Sequence, residues 1–280
     1  IIVGLVFGAF AKFSFFKEDS VIPDFVRQWF DSLLPIMLLI AGGWLIVQVA
    51  GVDVAGAVQA VFMPLQSALT SPVGFVFFCF LKCFIYSMGI STWVLTPVDE
   101  PVKLAVITAN LELVAAGIAT YQNLGIFTET FMFCTYLWIG GVGCTLSLCL
   151  LMMFICKSSE LKALGRACVV PGIFNINEPI IFGAIAWNPL LMLPMWLQGI
   201  ILPIVTYIFT KVIPFAPIPR IQFDLWYCPY PISTFIATQG SITGVIFAIL
   251  TFVLSAVIWF PFVKAYDDQK VKEETAAIKA

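Results

Sequence analysis

The sequence predicts an all-α fold: a polytopic transmembrane helical bundle with two re-entrant hairpins. Three observations carry this. The 280 residues are 61% hydrophobic and only 11% charged, whereas a soluble domain runs near 45–50% apolar and about 25% charged. Apolar runs long enough to cross a bilayer recur along the chain, about 20 residues being what a crossing needs. Two polar stretches, near 170–185 and 214–240, are punctuated by Pro and Gly inside otherwise apolar surroundings. A straight helix does not continue through such punctuation. Non-helical backbone at membrane depth survives only where protein covers it or where it lines a water-filled cavity.

Taken in order, Ile1 to Phe16 reads as the remnant of a membrane helix, closed by Lys17-Glu18-Asp19-Ser20. The chain opens inside an apolar run with no Met, basic leader or cleavage site, so an N-terminally truncated chain is expected. Ile22 to Asp31 is amphipathic and suits the membrane interface, with Trp29 as its anchor. Leu33 to Val49 reads as a span, Gly42 and Gly43 permitting close helix contact. Gly51 to Thr70, with Gln59 and Gln66 on one face, suits an interfacial connector. Residues 1–70 are thus expected to be a remnant of N-terminal scaffold helices plus an interfacial helix.

Residues 71–264 are expected to form the transport domain. Pro72 to Ile90 spans again, and Lys82 near its middle either marks a functional site or, the favoured reading, snorkels to an interface on its long stem. Gly89 to Pro97, then Asp99-Glu100-Pro101, fits a second cavity edge and an interfacial loop equally. Val102 to Thr128 reads as a peripheral helix and loop, and Phe131 to Cys156 as one span with Gly140, Gly141 and Gly143 inside it. Lys157 to Arg166 is a hydrophilic link, and Leu190 to Ile213 a span between the two broken elements. Ser241 to Val263 is the last span, and 265–280 a charged, soluble tail. The lysines and arginine at 157–166 and the lysines at 264–272 favour the cytoplasm for both segments.

The centre of interest is Pro171-Gly172-Ile173-Phe174-Asn175-Ile176-Asn177-Glu178-Pro179. An intramembrane carboxylate costs roughly 2.5–3.5 kcal/mol on insertion scales and marks a functional site by default. Asn175, Asn177 and Glu178 are therefore expected to line a solute site from a re-entrant hairpin, with Glu178 as an unpaired general base. Paired broken segments in a membrane chain point to a transporter site near the midplane. The chain has no His, which excludes a Ser-His-Asp triad, a Cys-His pair and His-ligated metal or haem. The eight cysteines lack C-x-x-C spacing and read as small reduced hydrophobes. No metal and no cofactor are expected, and a net charge of −2 gives no footprint for nucleic acid.

The Asn175-Ile176-Asn177-Glu178-Pro179 stretch resembles the signature of the membrane component, enzyme IIC, of bacterial sugar phosphotransferase systems, in the lactose/cellobiose/chitobiose group. Gly89-Ile90-Ser91, Trp226 to Ile232 and Ala237-Thr238-Gln239-Gly240-Ser241 follow in that family's order. The likeness covers essentially the whole chain and the later part of a family member. It implies a multi-pass protein of the bacterial inner (plasma) membrane, homodimeric when full length. It also implies a β-linked disaccharide as substrate, bound in an occluded site and phosphorylated by the phosphocysteine of a partner, IIB, with which this transport component shares the chemistry. By the same resemblance Glu178 holds a sugar hydroxyl and acts as base, the Trp226 ring packs on a pyranose face, and Ser91 stands where members often have His. Two family threonines are replaced by Tyr227 and Cys228, and one residue is absent between Ala184 and Ile185. Two other readings of the residues stand beside this one. One is a cation-coupled solute symporter with Glu178 as proton carrier; the other is an intramembrane carboxylate hydrolase pairing Glu178 with Asp224.

Overall fold

A computed structural model describes residues 2–16 and 24–279, and among them helices are the only regular elements. The expectations for Lys17–Pro23 and for the side chain of Gln59 fall outside the described residues. Two compact units, Ile1–Val61 and Phe62–Ala280, divide the chain.

The first unit holds α1 (Ile2–Phe10), α2 (Asp24–Trp44) and the start of α3 (Val54–Thr70). Helix α1 ends earlier than the apolar run predicts. A separate interfacial helix ending at Asp31 is not formed, because α2 continues from Asp24 through the apolar run and then as a π-helical turn over Leu45–Val49. Val26–Val49 is long and apolar enough to cross a membrane. Among the described residues the close contact expected at Gly42 and Gly43 is not made: a Cβ there would meet nothing within 4 Å.

The second unit begins with α4 (Pro72–Ser87), where Ser71 accepts from the Gly74 amide and Pro72 occupies the first turn, a position that needs no N–H. Helix α5 (Thr96–Ala115) follows a 3₁₀ turn at Thr92–Leu95. It is not peripheral: Val102, Val106 and Ile107 are buried, and so are Leu124, Ile126 and Phe127 after it. Lys211 holds this loop by donating to the carbonyls of Gln122 and Leu124.

The single span expected over Phe131–Cys156 is broken in two. Helix α6 (Glu129–Cys134), capped by Thr128, and α7 (Thr145–Phe154) are separated by an irregular segment in which Gly140, Gly141, Gly143 and Cys144 all take positive φ. Three glycines in five residues supply what the left-handed backbone requires. Helix α8 (Ser159–Ile173) absorbs most of the hydrophilic link, starting from a Ser158 cap on the Leu161 amide. It ends at a turn where Asn175 has φ 60°, a conformation Asn tolerates. The chain resumes as α9 (Glu178–Ile180) and a π-helical turn over Ile181–Ile185. Helix α10 (Pro189–Tyr207) begins with an Asn188 cap and Pro189 in its first turn. The stretch from Pro214 to Pro231 is irregular, and α11 (Ile232–Ala237) is short. Helix α12 (Ile242–Lys279) carries straight through the charged residues expected to form a separate tail.

Within this unit α4 packs along α10, α7 along α8, and α12 against both α10 and α7. The α4–α10 approach depends on Gly199, where a Cβ would lie 2.8 Å from Phe80 Cα. Phe75, Phe131, Tyr136, Trp138, Leu148, Met195, Leu202 and Trp259 fill the centre with almost no exposure.

Candidate functional site

The α8–α9 turn is fixed by its own amides. Asn175 Oδ1 accepts from the Gly140 amide at 2.7 Å, and its Nδ2 donates to the Trp226 carbonyl. Asn177 Nδ2 donates to the Val142 carbonyl at 2.9 Å, and its Oδ1 accepts from the Tyr86 hydroxyl at 3.3 Å. Both asparagines are buried. They tie the turn to the glycine segment between α6 and α7, to α4 and to the irregular stretch at 214–231. Gly141 makes room for this: a Cβ there would lie 2.5 Å from Asn177 Cγ.

These four chain segments surround a cavity of about 310 Å³, at the small end of ligand pockets. Asn175, Asn177, Glu178 and Trp226 line it, so the structure brings together four of the five residues singled out from the sequence. Glu178 is exposed to it and lies beside the Tyr86 hydroxyl. Trp226 is half-buried, its ring set edge-on to Tyr227. Ser91 does not line the cavity. Its hydroxyl accepts from the Trp93 amide at 3.4 Å and so starts the 3₁₀ turn that places Thr92 and Trp93 on the wall.

The remaining wall carries charge: the stretch that fitted a second cavity edge contributes Thr92, Trp93, Thr96 and Glu100, but the ion pairs around Lys82 and Lys103 were not expected. Lys82 is buried, not snorkelling, because Asp99 of α5 lies 2.7 Å from its Nζ. Lys103 Nζ lies 2.7 Å from Glu100, 2.5 Å from Glu129 and 3.6 Å from Asp99. A signal was present: Asp99, Glu100 and Lys103 stand at i,i+4 and i,i+3 spacing, where side chains meet on a helix. Asp224 also faces the cavity, accepting from Thr130 Oγ1 at 3.2 Å and from Gln222. Among the described residues no cluster of His, Cys, Asp and Glu is arranged to hold a metal ion.

Apolar helices, and a polar cavity lined by interrupted ones, define an α-helical membrane protein built around a solute site. A family model described as "Phosphotransferase system, EIIC" matches residues 1–199. The chain belongs to that family. It is 33% identical over 261 residues to the "PTS system lactose-specific EIICB component" of Lactococcus lactis subsp. lactis, covering 90% of this chain and 44% of the relative. It is 32% identical to the "PTS system cellobiose-specific EIIC component" of Geobacillus stearothermophilus, covering 93% and 58%. The crystal structure of the transporter ChbC, the IIC component from the N,N'-diacetylchitobiose-specific phosphotransferase system, superposes with a TM-score of 0.71 at 29% identity, over 98% of this chain and 64% of that one. The chain spans about half the length of the curated relatives it matches. The symporter and hydrolase readings find no support in these relatives.

Proposed function

We propose that this chain carries the sugar site of a phosphotransferase-system permease, with residues 71–264 as the transport domain. Its substrate is a disaccharide, β-linked as in the cellobiose and chitobiose named for its relatives. The observation that carries this reading is the meeting of a carboxylate, Glu178, and an aromatic ring, Trp226, on one small cavity built from interrupted helices. A pyranose offers one apolar face for a ring and hydroxyls for a carboxylate, and both partners are present.

In this reading Glu178 receives a sugar hydroxyl and Tyr86 orients the carboxylate. Asn175 and Asn177 hold the turn in place while remaining at the cavity wall. Ser91 acts by shaping the turn that carries Thr92 and Trp93. The phosphoryl group comes from the phosphocysteine of a IIB partner. The sugar oxygen forms a bond to phosphorus, the phosphorus–sulfur bond breaks, the thiolate leaves, and Glu178 takes the hydroxyl proton. Most of the acceleration is positioning and charge stabilisation, so no cofactor is required of this chain. The name EIICB of the lactose relatives joins a B component to the C component, which favours such a partner. The full-length protein is proposed to be a multi-pass homodimer of the bacterial inner membrane.

Sugar uptake into vesicles carrying the full-length protein tests this, with and without phosphorylated IIB inside. Uptake is expected only with phosphorylated IIB, and the sugar should appear as its phosphate ester. Free sugar accumulating on a proton gradient would overturn it.

A further inference from the structure

The charges around the cavity do not balance. Two ammonium groups, Lys82 and Lys103, stand against Glu100 and Glu129 on the wall and Asp99 behind it, and Glu178 and Asp224 add two carboxylates with no ion pair to a cation among the described residues. Among the described residues at and just behind the wall, five carboxylates therefore stand against two cations. The lysines are also committed. Lys82 is held at 2.7 Å by an Asp99 side chain with no exposure, and Lys103 by carboxylates on both α5 and α6. An incoming phosphate could recruit Lys82 only by weakening its hold on a buried carboxylate, which is strongly unfavourable, and Lys103 only in competition with Glu100 and Glu129, the two carboxylates already on it.

We propose that this cavity selects by charge: it accepts a neutral sugar and expels the same sugar once it is phosphorylated. The proposal rests on the reading of the cavity as the sugar site. A phosphomonoester carries about −1.5 to −2 charge at neutral pH. Three uncompensated negative charges several ångströms away disfavour it by roughly 10-fold to 100-fold, even at high effective dielectric. Phosphorylation thus converts a ligand into a product that the cavity repels, so the reaction itself drives release. The same imbalance means that cations stabilising the phosphoryl group in flight must come with the donor.

The test is calorimetric titration of the detergent-solubilised full-length protein near pH 7.5. Its probes are the tightest-binding of cellobiose, lactose and N,N'-diacetylchitobiose, the 6-phosphate of that sugar, and its neutral 6-O-methyl ether. At low salt the neutral sugar should bind at least 10-fold tighter than its phosphate, and the gap should narrow several-fold at high ionic strength. The 6-O-methyl ether should fall much closer to the free sugar than to the phosphate, and Asp224→Asn should narrow the neutral-to-phosphate ratio. Equal affinity for sugar and phosphate overturns the proposal while leaving the sugar site intact. So does a gap that salt does not move, or one that the methyl ether shares. Failure of every neutral disaccharide to bind overturns the sugar-site reading itself.

Discussion

Lys82 of α4 and Asp99 of α5 meet at 2.7 Å, with side-chain exposures of 5% and 0%. Two helices in an apolar unit are thus joined by charges that have given up nearly all their water. Such a pair adds little net stability over a well-packed apolar pair, but removing one partner leaves a buried charge. Asp99→Leu is expected to destabilise the protein by about 3–5 kcal/mol. Lys82→Met in the same chain should recover a large part of that loss. Thermal unfolding midpoints of the two variants in detergent provide the check. A single variant as stable as the double would mean that the ion pair does not join the helices.

Glu178 is expected to matter more for turnover than for binding. Glu178→Gln keeps the shape and the reach to Tyr86 but takes no proton. Sugar affinity should fall modestly, and single-turnover transfer from phosphorylated IIB should fall by about 10²-fold or more, the scale of a general base. Near wild-type transfer with lost binding would make Glu178 a binding group only.

Gly141→Ala should disturb the cavity through Asn177. Gly141 has φ 91°, and the added Cβ would lie 2.5 Å from Asn177 Cγ. Backbone strain of this type costs about 1–3 kcal/mol, and the clash adds to it. Asn177→Ala removes the atoms struck. The two substitutions together should therefore cost clearly less than the sum of each alone, as contacting residues do in a double-mutant cycle. Simple additivity in unfolding measurements would argue against the contact.

Asp267 on α12 accepts from the amides of Lys157 and Ser158 at 2.8–2.9 Å, and Glu274 accepts from Ser158 Oγ and the Ser159 and Glu160 amides. Asp267→Ala leaves those donors unpaired, at about 1–3 kcal/mol for a buried group. Hydrogen exchange at residues 157–160 is expected to accelerate by roughly 10-fold or more, the local counterpart of that loss. The effect should stay near the start of α8; unchanged exchange would show that the carboxylate does not hold it.

The sequence and the structure agree where the signal is local. Pro171, Gly172 and Pro179 mark the end of α8 and the restart at Glu178, and Pro189 and Asn188 mark the start of α10. The break between α6 and α7 was hidden because Phe131–Cys156 carries no charge and no Pro, and its glycines also occur inside membrane helices. What breaks it is a set of positive φ angles joined to Asn175 and Asn177, over thirty residues away. Lys82 was misread for a similar reason. Its partner lies beyond the 3₁₀ turn that folds α5 back toward α4, and only the folded chain reveals the pair. The charged end of the chain read as a tail because composition reports solvation and is silent on a helix that continues.

That continuation acts as a depth gauge. Helix α12 has 38 residues, about 57 Å at 1.5 Å per residue, longer than a whole bilayer with its headgroups at ~40–45 Å. Its charged end therefore stands in water, and there Asp267 and Glu274 moor the first residues of α8. From that mooring the 15 residues of α8 extend about 22 Å, less than a hydrocarbon layer ~30 Å thick. The Asn175–Glu178 turn is consequently carried on a helix whose far end is moored by two carboxylates on a mast.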